Sequence, residues 1–235
     1  DWTEVGLAAT DQATDTPTNN FCTMSPIASL DSPVMSEGNC YMTNDGGSEH
    51  AVSTFAASSG RWYFEVKVTV QNSANALVAG ISDVYMSQKE LAEAWLGNDA
   101  GQYGYVGYHA DDGGTAYGDV ITTNDILGVY VDLEDNKLYF AKNGTVQNSG
   151  TGHTITAAAS TTGGAYQFVT GDWFTTTSNV DYGVNFGGCP AFAISSGNAD
   201  ANGYGNFEYD PSSGTFDSAS KSFLALCTKN LAENG

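Results

Sequence analysis

"DLEDNKLYFAKNGTVQ", residues 132–147, carries the clearest signal of fold class in the sequence. Asn143-Gly144 stands between two runs of alternating residues, and both central residues of a type I′ hairpin turn need φ > 0. The acids at the start of the stretch lack the register of an EF-type calcium loop, which needs ligands at alternate positions, a central Gly and a distal Glu. The stretch therefore predicts a β-hairpin and no calcium site. The same turn accounts for Asn143, although Asn143-Gly144-Thr145 is also a glycosylation sequon.

Alternating apolar residues outside this hairpin predict further strands. Within residues 61–70, one face is formed by apolar side chains only and is predicted to be the core face: Trp62, Phe64, Val66, Val68 and Val70. Further strands are predicted at 77–82, 101–108, 125–131, 182–187 and 223–226. Strands at this spacing, separated by Gly and Asp, are typical of a β-sandwich.

The composition favours the same class. The chain has 235 residues with 28 Gly and 12% aromatics, which suits strands joined by tight turns. One helix is predicted over 87–97, because a capping box begins at Ser87, Leu91 and Trp95 lie four apart, and Gly97 stands where a C-cap is expected. The fold is thus predicted to be all-β, a two-sheet antiparallel β-sandwich with one short helix.

The chain is predicted to be one domain with extensions at both ends. Residues 60–187 carry the strand pattern and form the predicted core. Residues 1–59 are predicted to be an N-terminal extension packed on the sandwich, and residues 188–235 a C-terminal extension that closes it.

The charge excludes some classes of partner. With 27 acids against 7 bases, the net charge is −20. Such a field repels phosphate backbones and anionic lipid, so no nucleic-acid partner is expected. No run approaches 18 consecutive apolar residues, so the chain is predicted to be soluble, with no membrane insertion.

The four cysteines are possible disulfide partners: Cys22, Cys40, Cys189 and Cys227. They lie far apart without a Cys-x-x-Cys spacing, which argues against zinc or a redox motif. An even number permits two disulfides, and buried free thiols are the alternative. The sequence does not give the pairing. We expect no metal and no cofactor.

Seven motifs together resemble the successive strands of the SPRY family. In order they are GRWYFEV (60–66), AGIS (79–82), YGY (103–105) with the turn DDG (111–113), GDVI (118–121), ILGVYVD (126–132), LYFAKNG (138–144) and YGVNFG (182–187). The resemblance covers about residues 60–187. It implies a bent sandwich of two antiparallel sheets, similar to concanavalin A-like jelly rolls, that binds partners through loops at one edge and is not catalytic. The chain departs from the family pattern at 87–97 and 149–179, so no partner-binding residue is carried over.

A second resemblance lies outside this core. The segments DWT (1–3), DTPTNNFCTM (15–24) and FLALCTKNL (223–231) are similar to those that bracket SPRY units in tail-fibre and other virion proteins of marine tailed bacteriophages. This resemblance implies a module of a longer fibre.

Catalytic patterns are absent from the sequence. Concanavalin A-like sandwiches include glycosidases, which use two carboxylates across a cleft, but the Glu-x-Asp-x-x-Glu pattern of laminarinase-like relatives does not occur. Glu65 alternates to the face opposite Trp62 and Phe64 and is predicted to face solvent. No nucleophile elbow, His-Glu-x-x-His or phosphate loop is found. The chain is predicted not to be an enzyme.

Candidate ligand-binding residues lie in or beside predicted loops: Tyr85, Trp95, Tyr103, Tyr105, Tyr108, His109, Asp111, Asp112 and Trp173. Aromatic rings stack on sugar faces and carboxylates accept hydroxyl hydrogen bonds, so the mixture suits saccharide binding. For Trp95 and Tyr105 the alternative is a place in the core. His109 beside Asp111 and Asp112 suggests a metal ligand, but a turn alone explains these residues.

The function expected from these observations is that of a non-catalytic virion module, part of a tail fibre or related appendage, that contributes to attachment to a host-surface glycan or protein. Weak sites would act through many copies on one particle. One alternative is a capsid-decoration or fibre-spacer protein that binds only other virion proteins or copies of itself. Another is a polysaccharide-degrading domain.

Overall fold

The computed structural model describes residues 14–28, 33–43, 49–72, 76–85, 96, 101–106, 109–110, 116–172 and 179–235. Fourteen strands are formed by these residues: β1 (Val34–Ser36), β2 (Tyr41–Thr43), β3 (His50–Ala57), β4 (Arg61–Gln71), β5 (Leu77–Asp83), β6 (Gln102–Val106), β7 (His109–Ala110), β8 (Ile126–Asp132), β9 (Lys137–Lys142), β10 (Thr145–Val146), β11 (His153–Thr154), β12 (Tyr166–Asp172), β13 (Val180–Asn185) and β14 (Leu224–Ala225).

These strands form two packed sheets. The large sheet has nine strands in the order β1-β2-β13-β4-β8-β9-β10, with β11 beside β9 and β14 beside β4, and the small sheet has five in the order β3-β12-β5-β6-β7. Neighbouring strands are antiparallel, apart from the parallel pair of β14 and β4. The predicted two-sheet antiparallel sandwich is confirmed.

The inner core lies between the sheets. Its side chains from β4 are fully buried, as the alternating pattern predicts: Trp62, Phe64, Val66 and Val68. The Phe64 ring stacks on Phe186 with centroids 5.2 Å apart and meets Phe168 edge-on at 5.7 Å. Val70, near the end of β4, is 53% exposed and does not share this burial.

The predicted hairpin is present between β9 and β10. Asn143 has φ 48° and Gly144 φ 77°, so both turn residues adopt the left-handed region that the type I′ turn requires. The Asn143 side chain also secures the neighbouring strand, since its Oδ1 accepts from the Ile126 amide (2.8 Å) and its Nδ2 donates to Asp125 Oδ1 (2.7 Å).

A third layer covers the outer face of the large sheet. We call residues 188–235 the C-terminal layer. Three of its aromatic side chains, Phe207, Phe216 and Phe223, are fully buried against the outward-facing rings of β4, β8 and β9. Its strand β14 pairs with the first residues of β4 and so extends the sheet itself. The layer therefore forms a second, outer core.

Glu65 corrects one prediction from the sequence. Its side chain does lie on the face opposite Trp62, but it is fully buried, because the C-terminal layer covers that face. The carboxylate accepts hydrogen bonds from four donors: Tyr63 Oη (3.1 Å), Asn185 Nδ2 (3.1 Å), the Glu208 amide (3.1 Å) and the Tyr209 amide (2.8 Å). Burial raises the pKa of Glu65 to about 7, although these donors act in the opposite direction.

Ion pairs attach the C-terminal layer to the turn after β8. Asp132, the last residue of β8, is fully buried and contacts Arg61 Nε at 3.0 Å and Lys221 Nζ at 2.8 Å. Lys221 also contacts Asp135 at 2.8 Å and the Tyr139 hydroxyl at 2.7 Å. These partners raise the pKa of Lys221 and lower that of Asp135. Asp132 and Asp135 thus pair with the chain's own cations, whereas Glu134 accepts from the Gly60 amide at 2.9 Å.

The described helix lies at the C-terminal end of the chain. The helix predicted at 87–97 falls on positions outside the described residues, apart from Leu96, which is buried against the outer face of the small sheet. The helix that the structure does describe is α1, Thr228–Asn234, which follows β14 directly and was not predicted. No helix of the described residues has the length and apolar content needed to cross a membrane.

The four cysteines are buried free thiols in the structure. Cys40 and Cys189 share one small apolar cluster, which joins the turn before β2 to the C-terminal layer. Contact with Cys189 and burial raise the pKa of the Cys40 thiol, and burial raises that of Cys22 to about 11. All four side chains therefore contribute to packing as small apolar groups.

Candidate functional site

One end of the sandwich holds a small cleft at neighbouring strand ends. Asp83 ends β5 opposite Tyr166, the first residue of β12, and Ser82 pairs with Gln102, the first residue of β6. The cleft there has a volume of about 150 Å³ and is lined by Asp83, Gly101, Thr156, Ser160, Thr161 and Thr162. We call it the Asp83 cleft.

Asp83 fixes the backbone around the cleft. Its carboxylate accepts hydrogen bonds from the Gly163 amide (3.0 and 3.1 Å) and from the Tyr85 amide (3.2 Å), and its own amide donates to the Gly101 carbonyl (2.8 Å). A Cβ on Gly163 would lie 2.2 Å from Asp83 Oδ1, so only glycine fits there. Asp83, which is 4% exposed, thus joins three loop segments, two through its carboxylate and one through its own amide.

Tyrosine hydroxyls hold the side of the cleft that is formed by Thr156, Thr161 and Thr162, which we call the threonine-rich wall. Tyr103 Oη lies 2.9 Å from Thr156 Oγ1 and accepts from the Thr156 amide at 3.2 Å. Tyr166 Oη donates to the Thr156 carbonyl at 2.8 Å. A short 3₁₀ turn, Ala158–Ser160, then leads to Thr161, whose hydroxyl donates to the Ala158 carbonyl at 2.9 Å. These hydrogen bonds therefore preorganise the threonine-rich wall for a ligand.

An exposed aromatic residue follows β5 next to the Asp83 cleft. Tyr85 is 68% exposed and the preceding Val84 is 38% exposed, both directly after β5. The Val84 amide donates to the Ala165 carbonyl at 3.1 Å, which fixes the backbone from which both side chains project. A preformed hydroxyl-lined cleft beside an exposed ring suits recognition of a sugar or of a polar peptide.

The structure separates the residues predicted as a binding group. The Tyr85 amide and the Tyr103 hydroxyl contact two residues that line the Asp83 cleft, Asp83 and Thr156. Tyr105 does not belong to a binding surface: its ring is fully buried in the inner core, and its hydroxyl donates to the Asp119 carbonyl at 2.6 Å. The backbone of His109 lies in β7. The remaining predicted residues lie outside the described part of the chain: Trp95, Tyr108, Asp111, Asp112 and Trp173.

Sequence reasoning missed Asp83 and the wall residues. Asp83 ends a strand that is buried along its whole length, and a carboxylate at the end of such a strand signals an anchor for the following loop. The residues Thr161, Thr162 and Gly163 fall in a stretch that composition marked only as an insertion. Its contact with β5 depends on long-range pairing that no local pattern records.

Two carboxyl groups in the described part of the chain have a pKa raised to about 7, which often marks an acid–base site. They are Glu65 and Asp172, and burial is the main cause in both. They belong to different sheets, and Glu65 is enclosed by the C-terminal layer. Asp172 lies at the end of β12 opposite to the Asp83 cleft, so neither acid serves that cleft. Among the described residues, no cluster of three or more His, Cys, Asp or Glu is arranged to hold a metal ion.

Comparison with known proteins gives a family match. Residues 61–171 match the family model of the SPRY domain. Ran-binding protein 9 of Xenopus tropicalis is 31% identical over 116 residues, which cover 46% of this chain and 20% of that protein. Human Ran-binding protein 9 is 32% identical over 108 residues, covering 43% of this chain and 14% of that protein. The chain thus spans about a fifth or less of the length of these relatives.

A solved structure shares the fold. The SPRY domain of human HERC1 superimposes with a TM-score of 0.54 at 12% identity, covering 68% of this chain and 96% of that domain. The relatives named here are animal proteins, and the predicted virion origin stays a prediction. Residues 61–171 therefore match the SPRY domain, and the two-sheet sandwich to which they belong has the concanavalin A-like fold of that domain. In this chain a further layer of residues 188–235 packs on the large sheet.

Proposed function

We propose that the chain is a non-catalytic recognition module of a virion structural protein, a tail fibre or related appendage, and that it contributes to attachment to a host-surface glycan or protein. The observation that carries the proposal is the exposed Tyr85 beside the rigid Asp83 cleft. Support comes also from the SPRY match, since SPRY domains are typically interaction modules without catalysis.

The mechanism follows from the rigidity of the cleft. Because Asp83 and Tyr103 already fix the loops, a ligand does not have to order them on binding, and this lowers the entropic cost of association. A cleft of about 150 Å³ accepts only a small part of a ligand, so each contact is weak. Several copies on one particle would convert weak contacts into stable attachment.

Catalysis is not part of the proposal. A glycosidase needs two carboxyl groups that face one cleft. Of the described residues that line the Asp83 cleft, only Asp83 is an acid, and its oxygens accept from the amides of Gly163 and Tyr85. The cleft therefore suits binding without bond cleavage.

A cell-binding experiment tests the proposal. The purified chain is titrated onto intact marine bacterial cells and onto a glycan array, beside two alanine variants. Tyr85→Ala removes the exposed ring that follows β5. Val70→Ala removes a comparably exposed apolar side chain near the end of β4. We expect saturable binding that Tyr85→Ala weakens about tenfold, or ~1.4 kcal/mol, and that Val70→Ala leaves unchanged. No saturable binding by folded protein, or equal losses in both variants, would contradict the proposal.

A second candidate is a structural role in which the surface contacts only other virion proteins. Ile27 is 90% exposed and Val34, in the short strand β1, is 67% exposed. β1 is the last strand on one side of the described large sheet, so its position suits pairing with another chain. Loss of assembly with virion partners on Val34→Lys, with cell binding of the wild type absent, would favour this role over the first.

A further inference from the structure

A second cleft lies on the C-terminal layer, outside the region that matches the SPRY family. It has a volume of about 360 Å³, within the range of small-ligand sites. Three separate segments form its walls: the turn at 14–21, the loop at 200–205 and the helix α1. The residues that define its chemistry are Thr14, Thr16, Thr18, Phe21, Tyr204 and Lys229. We call it the Lys229 cleft.

Asp200 holds two of these walls together. It is 6% exposed, and its Oδ1 accepts from the Asn202 amide (2.9 Å) and the Tyr204 amide (2.8 Å). Its Oδ2 accepts from the Ala225 amide (2.8 Å) and from Asn230 Nδ2 (2.7 Å) on α1. One buried carboxylate therefore fixes the loop that carries Tyr204 relative to the helix that carries Lys229.

The third wall is attached through Asn19. Its Oδ1 accepts from the Lys229 amide at 3.1 Å, and the Asn20 amide donates to Thr228 Oγ1 at 3.0 Å. The turn itself closes by paired backbone hydrogen bonds between Thr16 and Asn19 (2.8 and 3.2 Å). All three walls are thus preorganised, as a binding site requires.

Lys229 is the unusual feature of the cleft. In a chain of net charge −20, this exposed ammonium forms no ion pair and no hydrogen bond with any described residue. By contrast, Arg61, Lys142 and Lys221 are all paired with aspartates. The described residues that line the cleft include no Asp or Glu. A positive charge is therefore left available beside neutral walls.

The remaining walls suit a hydroxylated ring. The Tyr204 ring is half-buried against the outer core, so part of its surface faces the cleft. The exposed Thr16 and Thr18 hydroxyls lie 3.5 Å apart. Thr16 Oγ1 already accepts from the Asn19 amide at 3.0 Å, whereas the Thr18 hydroxyl retains capacity to donate and accept. Aromatic surface with nearby hydroxyls is a combination that binds sugar rings. The negative field of the whole chain disfavours densely charged polyanions, which leaves ligands with isolated acid groups.

We propose that the Lys229 cleft binds an acidic saccharide, with a sugar ring against Tyr204, its hydroxyls at the threonines and its acid group at Lys229. The inference deepens the proposed function and rests on it for the source of the saccharide, the host surface. It places a ligand site on the C-terminal layer in addition to the Asp83 cleft.

The test uses defined probes with the whole chain. A galacturonic acid trisaccharide and a neutral galactose trisaccharide are titrated by calorimetry at low and moderate salt. We expect the acidic probe to bind at least tenfold more tightly than the neutral one and to weaken with salt. Lys229→Met is expected to abolish this preference, Lys229→Arg to retain it, and Tyr204→Ala to weaken binding of both probes. Lys137→Met, which changes a lysine that hydrogen-bonds Thr154 elsewhere on the sheet, serves as the control.

Several outcomes would overturn the inference: no binding of either probe, equal binding of both, or equal losses in Lys229→Met and Lys137→Met. A melting temperature equal to that of the wild type shows that a variant is folded. If Lys229→Met is not folded, Lys229→Arg keeps the test valid. Cell binding measured in parallel separates the two proposals. If the chain binds cells but neither probe, the saccharide site at the Lys229 cleft alone is overturned. If the chain binds the acidic probe through Lys229 but does not bind cells, the attachment role alone is overturned.

Discussion

The two faces of the large sheet are both buried, but different chemistry buries them. On the inner face, Trp62 and Phe64 pack against the small sheet, a second regular element. On the outer face, Tyr63 and Glu65 of the same strand are covered by the C-terminal layer, whose regular structure consists of a two-residue strand and a seven-residue helix. One strand therefore serves two cores.

The two faces differ because an irregular chain segment needs other hydrogen-bond partners than a strand does. Backbone groups of a strand are satisfied by neighbouring strands, whereas those of a loop need other partners. In the C-terminal layer, buried carboxylates supply them: Glu65 accepts from the amides of Glu208 and Tyr209, and Asp200 from those of Tyr204 and Ala225. The outer core thus combines aromatic packing with charged anchors.

The largest effects are expected from removing one ring from each core. Phe64→Ala in the inner core and Phe223→Ala in the outer core should each lower the free energy of unfolding by about 3–5 kcal/mol, because both side chains are fully buried. Urea unfolding measures both. A loss below about 1 kcal/mol for Phe223→Ala alone would show that the outer layer is not a core.

A slightly smaller effect is expected from the ion pairs that attach the layer. Lys221→Met should cost about 3 kcal/mol, because it removes a cation from the fully buried Asp132. Arg61→Met should cost about 1 kcal/mol, because the Arg61 side chain is 32% exposed and solvent screens its pair. The same urea titration compares them, and a reversed order would mean that the attachment of Lys221 is dispensable.

Glu65 should make the free energy of unfolding depend on pH. Its folded-state pKa of about 7 exceeds the ordinary value of 4.5, so the folded state holds more protons between these values and the stability that Glu65 contributes falls as pH rises. The difference in unfolding free energy between wild type and Glu65→Gln should therefore fall by about 2 kcal/mol from pH 5 to 7. A difference that rises over this window would mean that the four donors outweigh burial.

The smallest effect separates backbone strain from contact with the layer. Gly144 and Gly164 both have positive φ, 77° and 72°, but a Cβ on Gly144 would lie 2.5 Å from the Tyr209 ring whereas one on Gly164 meets nothing within 4 Å. Gly164→Ala should cost about 1 kcal/mol from strain alone, and Gly144→Ala about 1 kcal/mol more. Equal melting-temperature shifts would indicate that Tyr209 is not fixed on the hairpin.

The inner core was largely predictable from sequence, and the outer core was not. The alternation from Trp62 to Val68 and the Asn143-Gly144 turn are local patterns that the structure confirms. Alternation also placed Glu65 on the opposite face correctly. It could not show that the face is covered, because the covering rings Phe207 and Phe216 follow no period and come from far along the chain.

The same limit applies to the candidate site. The exposure of Tyr85 follows from its place directly after a strand, which is a local signal. Tyr105, one strand away, has the same local signals and is a core residue, because Phe140 and Tyr117 pack against its ring. The role of Asp83 depends on Gly163, which is 80 residues away along the chain. Residue type and local pattern do not distinguish these cases, since sheet pairing decides them.

Native-state hydrogen exchange shows whether the C-terminal layer is an integral part of the folded unit. The amides of Glu208 and Tyr209, which donate to Glu65, and of Ala225, which donates to Asp200, should exchange as slowly as the amides of the central strand β8. Such protection means that these amides open only with global unfolding. Exchange at rates typical of surface loops, with β8 still protected, would show that the layer opens independently and would contradict the account.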